Sequence, residues 1–290
     1  MKDGFTRLAL ILDRSGSMAT IEEATVAGVN KFIAEQKQVP GTATLKLVQF
    51  DDVYEEVFDT PIAEAPELTL SKTPRPGQKT YEPRGCTALL DAIGRTITEL
   101  GSGLAAMPED ERPSKVIVVI MTDGLENASK VFTTHQVLDM VVLQRDTYKW
   151  DFVYLGANQD AIATAATMGI AAPSAMNYAA NRTATTNAVH AMSAAVRRSR
   201  TTGQNVSYTS HERHRWSKMT TICSRIVAAN WDDWSASHLE PRCGAYLPGE
   251  GDDILSFRFL STASKNFWVI SPPAQDSWDF CFWALRITLV

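Results

Sequence analysis

The chain has 290 residues, of which 44% are hydrophobic and 21% are charged, and its net charge at pH 7 is −5. This composition is typical of a globular protein with a sizeable core, and the length leaves room for one or two domains. Because acidic residues outnumber basic ones, the chain lacks the overall positive charge that is typical of nucleic-acid-binding proteins.

Cysteine spacing and short apolar stretches indicate the expected compartment. The four cysteines have no regular spacing, which disfavours a disulfide framework and favours reduced thiols. The apolar residues 8–12 end at Asp13 and are too few for a secretory signal core. Residues 280–290 are interrupted by Arg286 and are too short to cross a bilayer. We therefore expect a cytoplasmic protein with no membrane segment.

Apolar runs alternate with helical patterns over the first two thirds of the chain. Leu8–Leu12 is a short continuous apolar run, typical of a strand buried on both faces. Lys115–Met121 has the same character and is rich in β-branched residues. Thr133 and Gln136 form a capping-box pattern that begins a helix. The predicted strands are 7–12, 44–50, 53–58, 115–121, 152–155 and 175–178, and the predicted helices are 19–38, 88–100, 133–148, 160–168 and 186–199.

The order of these elements predicts a fold class. Strands that alternate with helices indicate an α/β protein with a mostly parallel sheet and helices on both faces. The strand 53–58 carries Glu55 and Glu56, which favours a partly solvated edge position. The segment 59–85 is long, irregular and rich in proline, and such segments in a compact domain are usually functional or mobile. Because it leads to Thr87, we interpret it as functional rather than as a plain connector.

Polar residues with hard oxygen atoms follow the first strand and recur at two later positions. Asp13, Ser15 and Ser17 alternate in the loop DRSGS, where the glycine permits a tight turn. Oxygen donors packed this closely suit a small hard cation such as Mg²⁺. Thr87 lies in GCTALLDA, and Asp123 lies in MTDG.

Together these three segments resemble the metal-ion-dependent adhesion site of von Willebrand factor A domains. The three parts occur in the family's order, each in the expected local sequence, and the resemblance covers about residues 5–200. It implies a doubly wound sheet with the strand order 3-2-1-4-5-6 and an antiparallel third strand at an edge. In that order the strands ending at Asp13 and Asp123 are neighbours. The gap between them is the switch point where open α/β sheets bind ligands.

The resemblance also implies how these residues would hold Mg²⁺, with Mn²⁺ as an alternative ion. The hydroxyls of Ser15 and Ser17 would bind directly, Thr87 would bind directly or through water, and Asp13 and Asp123 would hold coordinating waters. One open position would receive a carboxylate from a partner protein. The implied function is metal-dependent protein recognition without catalysis, in a cytoplasmic protein of bacterial or phage type. ATPase chaperones are one class of partner for related proteins.

Three further polar residues lie close to this motif in the sequence. Asp91 stands in the first turn of a predicted helix, where the helix dipole favours an acid, and it could also support the metal loops. Glu126 could shape the rim of the site, although a polar loop after a strand needs no special reason. We expect Arg14 to be a solvated side chain or a contact for an acidic partner.

Two other functions stay open at this point. A metal-assisted hydrolase is one, although Ser15 is not in a G-x-S-x-G elbow and only a fold-level contact with His135 would supply a histidine. Nucleic-acid binding through the basic region 197–218 is the other, although cations at a helix end already suit its dipole. A zinc site is disfavoured by the irregular spacing of its candidate ligands, which are His211, His214, Cys223 and Cys243.

The pattern changes after about residue 203. Six of the seven tryptophans lie in the last 75 residues, and helical periodicity fades. We predict a von Willebrand factor A domain over 1–203 and a Trp-rich extension over 204–290, either a small β-rich unit or a poorly ordered segment. We expect it to pack weakly or not at all on the first domain. Its candidate strands are 254–260, 267–270 and 280–290.

Overall fold

The computed structural model describes residues 1–72, 79–157, 160–209 and 212, and the backbone of 256–262 and 265–271. Met1–Ile226 and Val227–Val290 are two compact units. The strands of the first unit are β1 (Lys2–Asp13), β2 (Thr42–Phe50), β3 (Tyr54–Pro61), β4 (Leu68–Leu70), β5 (Lys79–Tyr81), β6 (Pro113–Thr122), β7 (Asp151–Ala157) and β8 (Ala175–Tyr178). Its helices are α1 (Glu22–Lys37), α2 (Leu89–Ala106), α3 (Thr134–Asp146), α4 (Ala161–Thr167) and α5 (Arg182–Thr202).

Six strands form one sheet in the order β3-β2-β1-β6-β7-β8. Within this sheet β3 is antiparallel to β2 at an edge, and every other neighbouring pair is parallel. This confirms the predicted α/β doubly wound, mostly parallel sheet and its strand order. The predicted strands and helices of this unit are all present. Their bounds differ most at the start of β1, which begins at Lys2, and at the end of α2, which continues to Ala106.

Both faces of the sheet are covered, as the apolar run in β1 predicts. Successive side chains of a strand point to opposite faces, so Leu8, Leu10 and Leu12 lie in one core cluster and Ala9 and Ile11 lie in another. The first cluster includes side chains of α1 and α5, and the second includes side chains of α2, α3 and α4. Among the described residues, no helix is long and apolar enough to span a membrane.

The segment between β3 and α2 contains a structure that the sequence did not indicate. β4 and β5 form a short parallel pair outside the main sheet. The side chain of Asn30 in α1 bonds both the amide and the carbonyl of Leu68, at 2.7 and 2.9 Å. Tyr81 in β5 is fully buried, and its hydroxyl donates to the Asp13 carbonyl at 2.7 Å. The end of this segment is therefore anchored beside the end of β1.

The chain continues to pack on the sheet after α5. Val206 and Tyr208 are each 2% exposed and belong to the core cluster that includes α1 and α5. The Tyr208 amide also donates to the Pro173 carbonyl at 2.8 Å. The expectation of weak packing from about residue 205 is therefore wrong for these two residues. Most of the predicted extension 204–290 lies outside the described residues, and its extent stays a prediction.

In the second unit the described backbone forms two strands. These are β9 (Ser256–Thr262) and β10 (Lys265–Ser271), and they pair antiparallel. They overlap two of the candidate strands, 254–260 and 267–270. The third candidate, 280–290, lies outside the described residues.

Replacing Tyr208 with alanine should lower the free energy of unfolding by about 3 kcal/mol, because truncating a buried aromatic side chain leaves a cavity. Tyr208→Phe is the matched control. The Tyr208 hydroxyl is buried without a hydrogen-bond partner in the described part of the chain, so its removal should cost no stability. Denaturant unfolding of the full-length variants measures both effects. Wild-type stability of Tyr208→Ala would show that this segment contributes nothing to the core.

Candidate metal centre

Three loops meet at the carboxyl ends of β1 and β6. The first loop follows β1 and carries Asp13, Ser15 and Ser17, the second precedes α2 and carries Thr87, and the third follows β6 and carries Asp123. β1 and β6 are adjacent parallel strands, so their carboxyl ends lie at one edge of the sheet. The loops therefore lie at the switch point of a doubly wound sheet.

Hydrogen bonds connect the first and third loops directly. The Ser17 hydroxyl donates to Asp123 Oδ1 at 2.6 Å and lies 3.1 Å from the Ser15 hydroxyl. Asp13 Oδ1 accepts the Ser15 amide at 2.6 Å, and Asp13 Oδ2 accepts the Thr122 hydroxyl at 2.5 Å. Side-chain oxygens of both loops are thus gathered at the end of β1.

Thr87 of the second loop faces the same place. A β-carbon on Gly124 would lie 2.8 Å from Thr87 Oγ1 and 3.6 Å from Ser17 Oγ, so both hydroxyls lie close to one point beside Asp123. The Asn127 side chain accepts the Thr87 amide at 2.9 Å, and the Asn127 amide donates to the Thr87 carbonyl at 3.0 Å. The structure therefore brings the five predicted site residues together. Their role as metal ligands stays a prediction.

The two carboxylates of this cluster have no cationic partner among the described residues. Asp13 is fully buried, and burial raises its pKa to about 6 although Thr122 and Ser15 donate hydrogen bonds to it. Burial also raises the pKa of the partly buried Asp123, against the hydrogen bond from Ser17. Burial disfavours the charged form of an acid, and a nearby cation favours it. A bound cation would therefore fit this cluster electrostatically.

The donor set also fits a hard cation. It consists of hydroxyl and carboxylate oxygens, which Mg²⁺ prefers over nitrogen or sulfur. Across the described residues, no group of three or more His, Cys, Asp or Glu side chains is placed to hold a metal ion. Any metal at this edge would therefore depend on the serine and threonine hydroxyls.

Comparison with known proteins finds similarity of fold only. No family model and no curated protein matches the chain. Similar structures include proximal thread matrix protein 1 from the mussel byssus, at 14% identity over 67% of this chain and 46% of that chain, with a TM-score of 0.43. The pilus adhesin SpaC from Lactobacillus rhamnosus GG has 12% identity over 68% of this chain and 30% of that chain, with a TM-score of 0.50.

A von Willebrand factor type A protein from Catenulispora acidiphila matches at 13% identity over 66% of this chain and 42% of that chain, with a TM-score of 0.41. This chain spans less than half of the length of each of the three structures. The strand order, the antiparallel edge strand and the convergence of the three loops all agree with the fold that the sequence resemblance implies. The chain has a von Willebrand factor A-like α/β fold. At these identities the likeness concerns the fold alone.

Arg14 in the first loop of this von Willebrand factor A-like fold is buried, which corrects the expectation of a solvated or partner-binding side chain. Its Nε donates to Asp51 at 3.2 Å, and its Nη1 pairs with Glu55 at 2.5 Å. Asp51 lies there because β2 pairs with β1 in a register that sets Phe50 opposite Asp13, and Glu55 is placed by the pairing of β3 with β2. Local sequence carries no signal for this register.

Asp91 and Glu126 hold the second and third loops together. Asp91 lies in the first turn of α2, and its carboxylate accepts the amides of residues 130–132 at 2.8 to 2.9 Å. Burial would raise the pKa of Asp91, but these hydrogen bonds lower it overall. Glu126 accepts the amide of Leu90 at 2.9 Å and the hydroxyl of Ser129 at 2.7 Å. Both acids therefore support the loops that carry Thr87 and Asp123.

The described residues that suggested a hydrolase or nucleic-acid binding do not belong to this cluster. His135 is exposed on α3 and pairs with Asp139 at 3.1 Å. In the basic region Arg198 pairs with Glu212 at 2.8 Å. Residues 213–218 and the candidate zinc ligands lie outside the described part of the chain.

The raised pKa of Asp13 predicts how the stability of the metal-free protein, kept so by a chelator, depends on pH. Between about pH 4 and pH 6 the folded state keeps a proton that the unfolded state has lost, so the contribution of Asp13 to stability falls as the pH rises. A pKa shift of about two units corresponds to about 3 kcal/mol. Denaturant unfolding in the presence of chelator measures the effect. Between pH 4 and pH 7, the unfolding free energy of Asp13→Asn should increase relative to that of the wild type by about 3 kcal/mol. A constant difference over this range would contradict the prediction.

Proposed function

We propose that this chain recognises another protein through a Mg²⁺ ion held at the carboxyl edge of its sheet. The observation that carries the proposal is the convergence of hydroxyls from neighbouring loops on two carboxylates that lack a cationic partner among the described residues. The residues that would hold the ion are Asp13, Ser15, Ser17, Thr87 and Asp123.

The proposed roles follow from the chemistry of these side chains. The hydroxyls of Ser15 and Ser17 would bind the ion directly, and Thr87 would bind it directly or through water. Asp13 and Asp123 would hold coordinating waters and supply negative charge. Because few anionic groups would bind directly, the ion would keep enough positive charge to attract a carboxylate of the partner protein.

Exposed apolar side chains beside this cluster support a protein as the partner. Leu125 and Val131 are 63% and 71% exposed, and both follow Asp123 in the chain. Ala88, the residue after Thr87, is one of the residues that line a groove of about 470 Å³. Apolar side chains left exposed beside a polar site are typical of interaction surfaces. The apolar and aromatic residues that line the groove are Phe50, Tyr54, Ala88, Ala92, Val131 and Phe132.

Several finer parts of the proposal rest on the sequence resemblance alone. These are Mn²⁺ as an alternative ion, an ATPase chaperone as one class of partner, and a cytoplasmic location in a bacterial or phage system.

Metal binding is tested by replacing Ser17, whose hydroxyl joins the first loop to Asp123. Wild-type protein should bind Mg²⁺ in calorimetry and gain about 2.7 kcal/mol of stability when Mg²⁺ is present at a hundred times its Kd. Ser17→Ala should bind at least about tenfold more weakly, because one direct ligand is lost. Ser114→Ala, an exposed serine near the other end of β6, is the matched control and should behave as wild type. Equal Mg²⁺ affinities of Ser17→Ala and the wild type would contradict the proposal.

Partner recognition is tested by affinity capture from extracts of the source cells with Mg²⁺ or with chelator. A protein captured by the wild type in Mg²⁺ should be lost in chelator and with Asp123→Ala, because both remove the ion that binds its carboxylate. Asp139→Ala, on the exposed face of α3, is the matched control and should keep the partner.

Asp123→Ala should also unfold in chelator at a temperature no lower than the wild type, because burial of this acid without a cation is unfavourable. A partner that stays bound in chelator would contradict the proposed function. A large loss of stability for Asp123→Ala in chelator would instead show that Asp123 has a structural role.

A further inference from the structure

We propose that Asp51 is a positioning residue that holds the first and second loops in the arrangement required for metal binding, an inference that rests on the proposed function. Asp51 directly follows β2 and is 1% exposed. β2 lies parallel to β1 with Phe50 opposite Asp13, so Asp51 lies beside Arg14. It is placed between two loops without belonging to either of them.

The Asp51 carboxylate joins residues of both loops. Its Oδ2 accepts the Nε of Arg14 at 3.2 Å and the Nε of Arg84 at 2.9 Å, while its Oδ1 accepts the Val53 amide at 2.6 Å. Arg14 belongs to the first loop, and Arg84 lies three residues before Thr87. One carboxylate therefore connects the loop of the two serines with the chain that leads to the threonine.

The backbone of Asp51 contacts the second loop on the other side of Thr87. The Asp51 carbonyl accepts the amide of Ala88, the residue after Thr87, at 2.9 Å. Asp51 thus holds the chain both before and after Thr87. A shift of Asp51 would move the Thr87 hydroxyl relative to the first loop.

The charge of Asp51 is balanced within this network. Burial would raise its pKa, but hydrogen bonds from Arg84 and the Val53 amide and the charge of Arg14 lower the pKa overall. Asp51 is therefore ionised at neutral pH and is already engaged by two guanidinium groups. This separates it from Asp13 and Asp123, which have no such partner among the described residues.

Backbone hydrogen bonds bring the two loops near each other, and the Asp51 carboxylate adds a charged connection. The Arg84 amide donates to the Arg14 carbonyl at 2.7 Å, and the Gly16 amide donates to the Gly85 carbonyl at 3.2 Å. Binding sites need their groups within about 0.5 Å of the productive geometry, which supporting hydrogen bonds provide. Residues that orient metal ligands typically change metal affinity by 10 to 100-fold when replaced.

The test is Mn²⁺ affinity of full-length variants, measured from the electron paramagnetic resonance signal of free Mn²⁺. Asp51→Asn and Arg84→Gln should each bind Mn²⁺ at least about tenfold more weakly than the wild type. Glu55→Gln is the matched control, because Glu55 pairs with Arg14 but forms no hydrogen bond with the second loop in the described residues. It should bind within about twofold of the wild type, well below the effect expected for a residue that orients ligands.

A thermodynamic cycle with Thr87→Ala separates positioning from general stability. If Asp51 acts through Thr87, Arg84→Gln should weaken Mn²⁺ binding by less than about twofold once Thr87 is absent, because coupled residues are not additive. A merely structural role would lower the unfolding free energy in chelator and leave Mn²⁺ affinity unchanged.

Three results would decide against the inference. Wild-type Mn²⁺ affinity in both Asp51→Asn and Arg84→Gln would overturn it and leave the proposed function standing. An undiminished effect of Arg84→Gln in the Thr87→Ala background would overturn the route through Thr87. If the wild type binds neither Mn²⁺ nor Mg²⁺, the proposed function fails and the inference fails with it. Should Asp51→Asn not fold, Arg84→Gln alone decides, since the Arg84 side chain is 53% exposed and tolerates replacement.

Discussion

The parallel pairing of β1 with β6 is the constraint on which the candidate site depends. Both strands are buried on both faces, so a one-residue shift of register would move each side chain into the opposite core cluster and disrupt the packing of both. The register fixes the ends of the strands, and the strand ends fix Asp13 and Asp123. The hydrogen bond from the Thr122 hydroxyl to Asp13 then joins the two ends.

The two acids at the carboxyl edge of the sheet lower the stability of the metal-free protein. A buried Asp13 with a raised pKa, near a second acid whose pKa is also raised, lowers stability when no cation is present. Sites that destabilise the free protein are common where binding requires preorganised groups. The neighbouring carboxylates, in contrast, are well supplied with donors: Asp51 accepts from two arginines, and Asp91 accepts from three backbone amides. Of these four acids, only Asp13 and Asp123 have a raised pKa, and they are the two that would lie nearest a cation.

The sequence predicts those features that depend on local pattern. Apolar runs such as Leu8–Leu12 mark strands, and the spacing of hydroxyls and acids marks the loops that converge. Features that depend on register or on distant contacts carry no local signal. Arg14 is buried because the turn after β2 lies beside it, and Tyr81 belongs to a strand of three residues. Tyr208 packs in the core after α5, at a point where helical periodicity has already ended.

The most direct measurement of the central claim is a crystal structure of the full chain grown with Mn²⁺, with the ion located by its anomalous scattering. The account predicts one strong peak bound by the hydroxyls of Ser15 and Ser17, at about 2.1 to 2.2 Å, close to what Mg²⁺ sites of this type require. Asp13 and Asp123 should lie in its immediate surroundings. An ordered set of three loops with no peak between them, or a peak bound by other residues, would contradict the account.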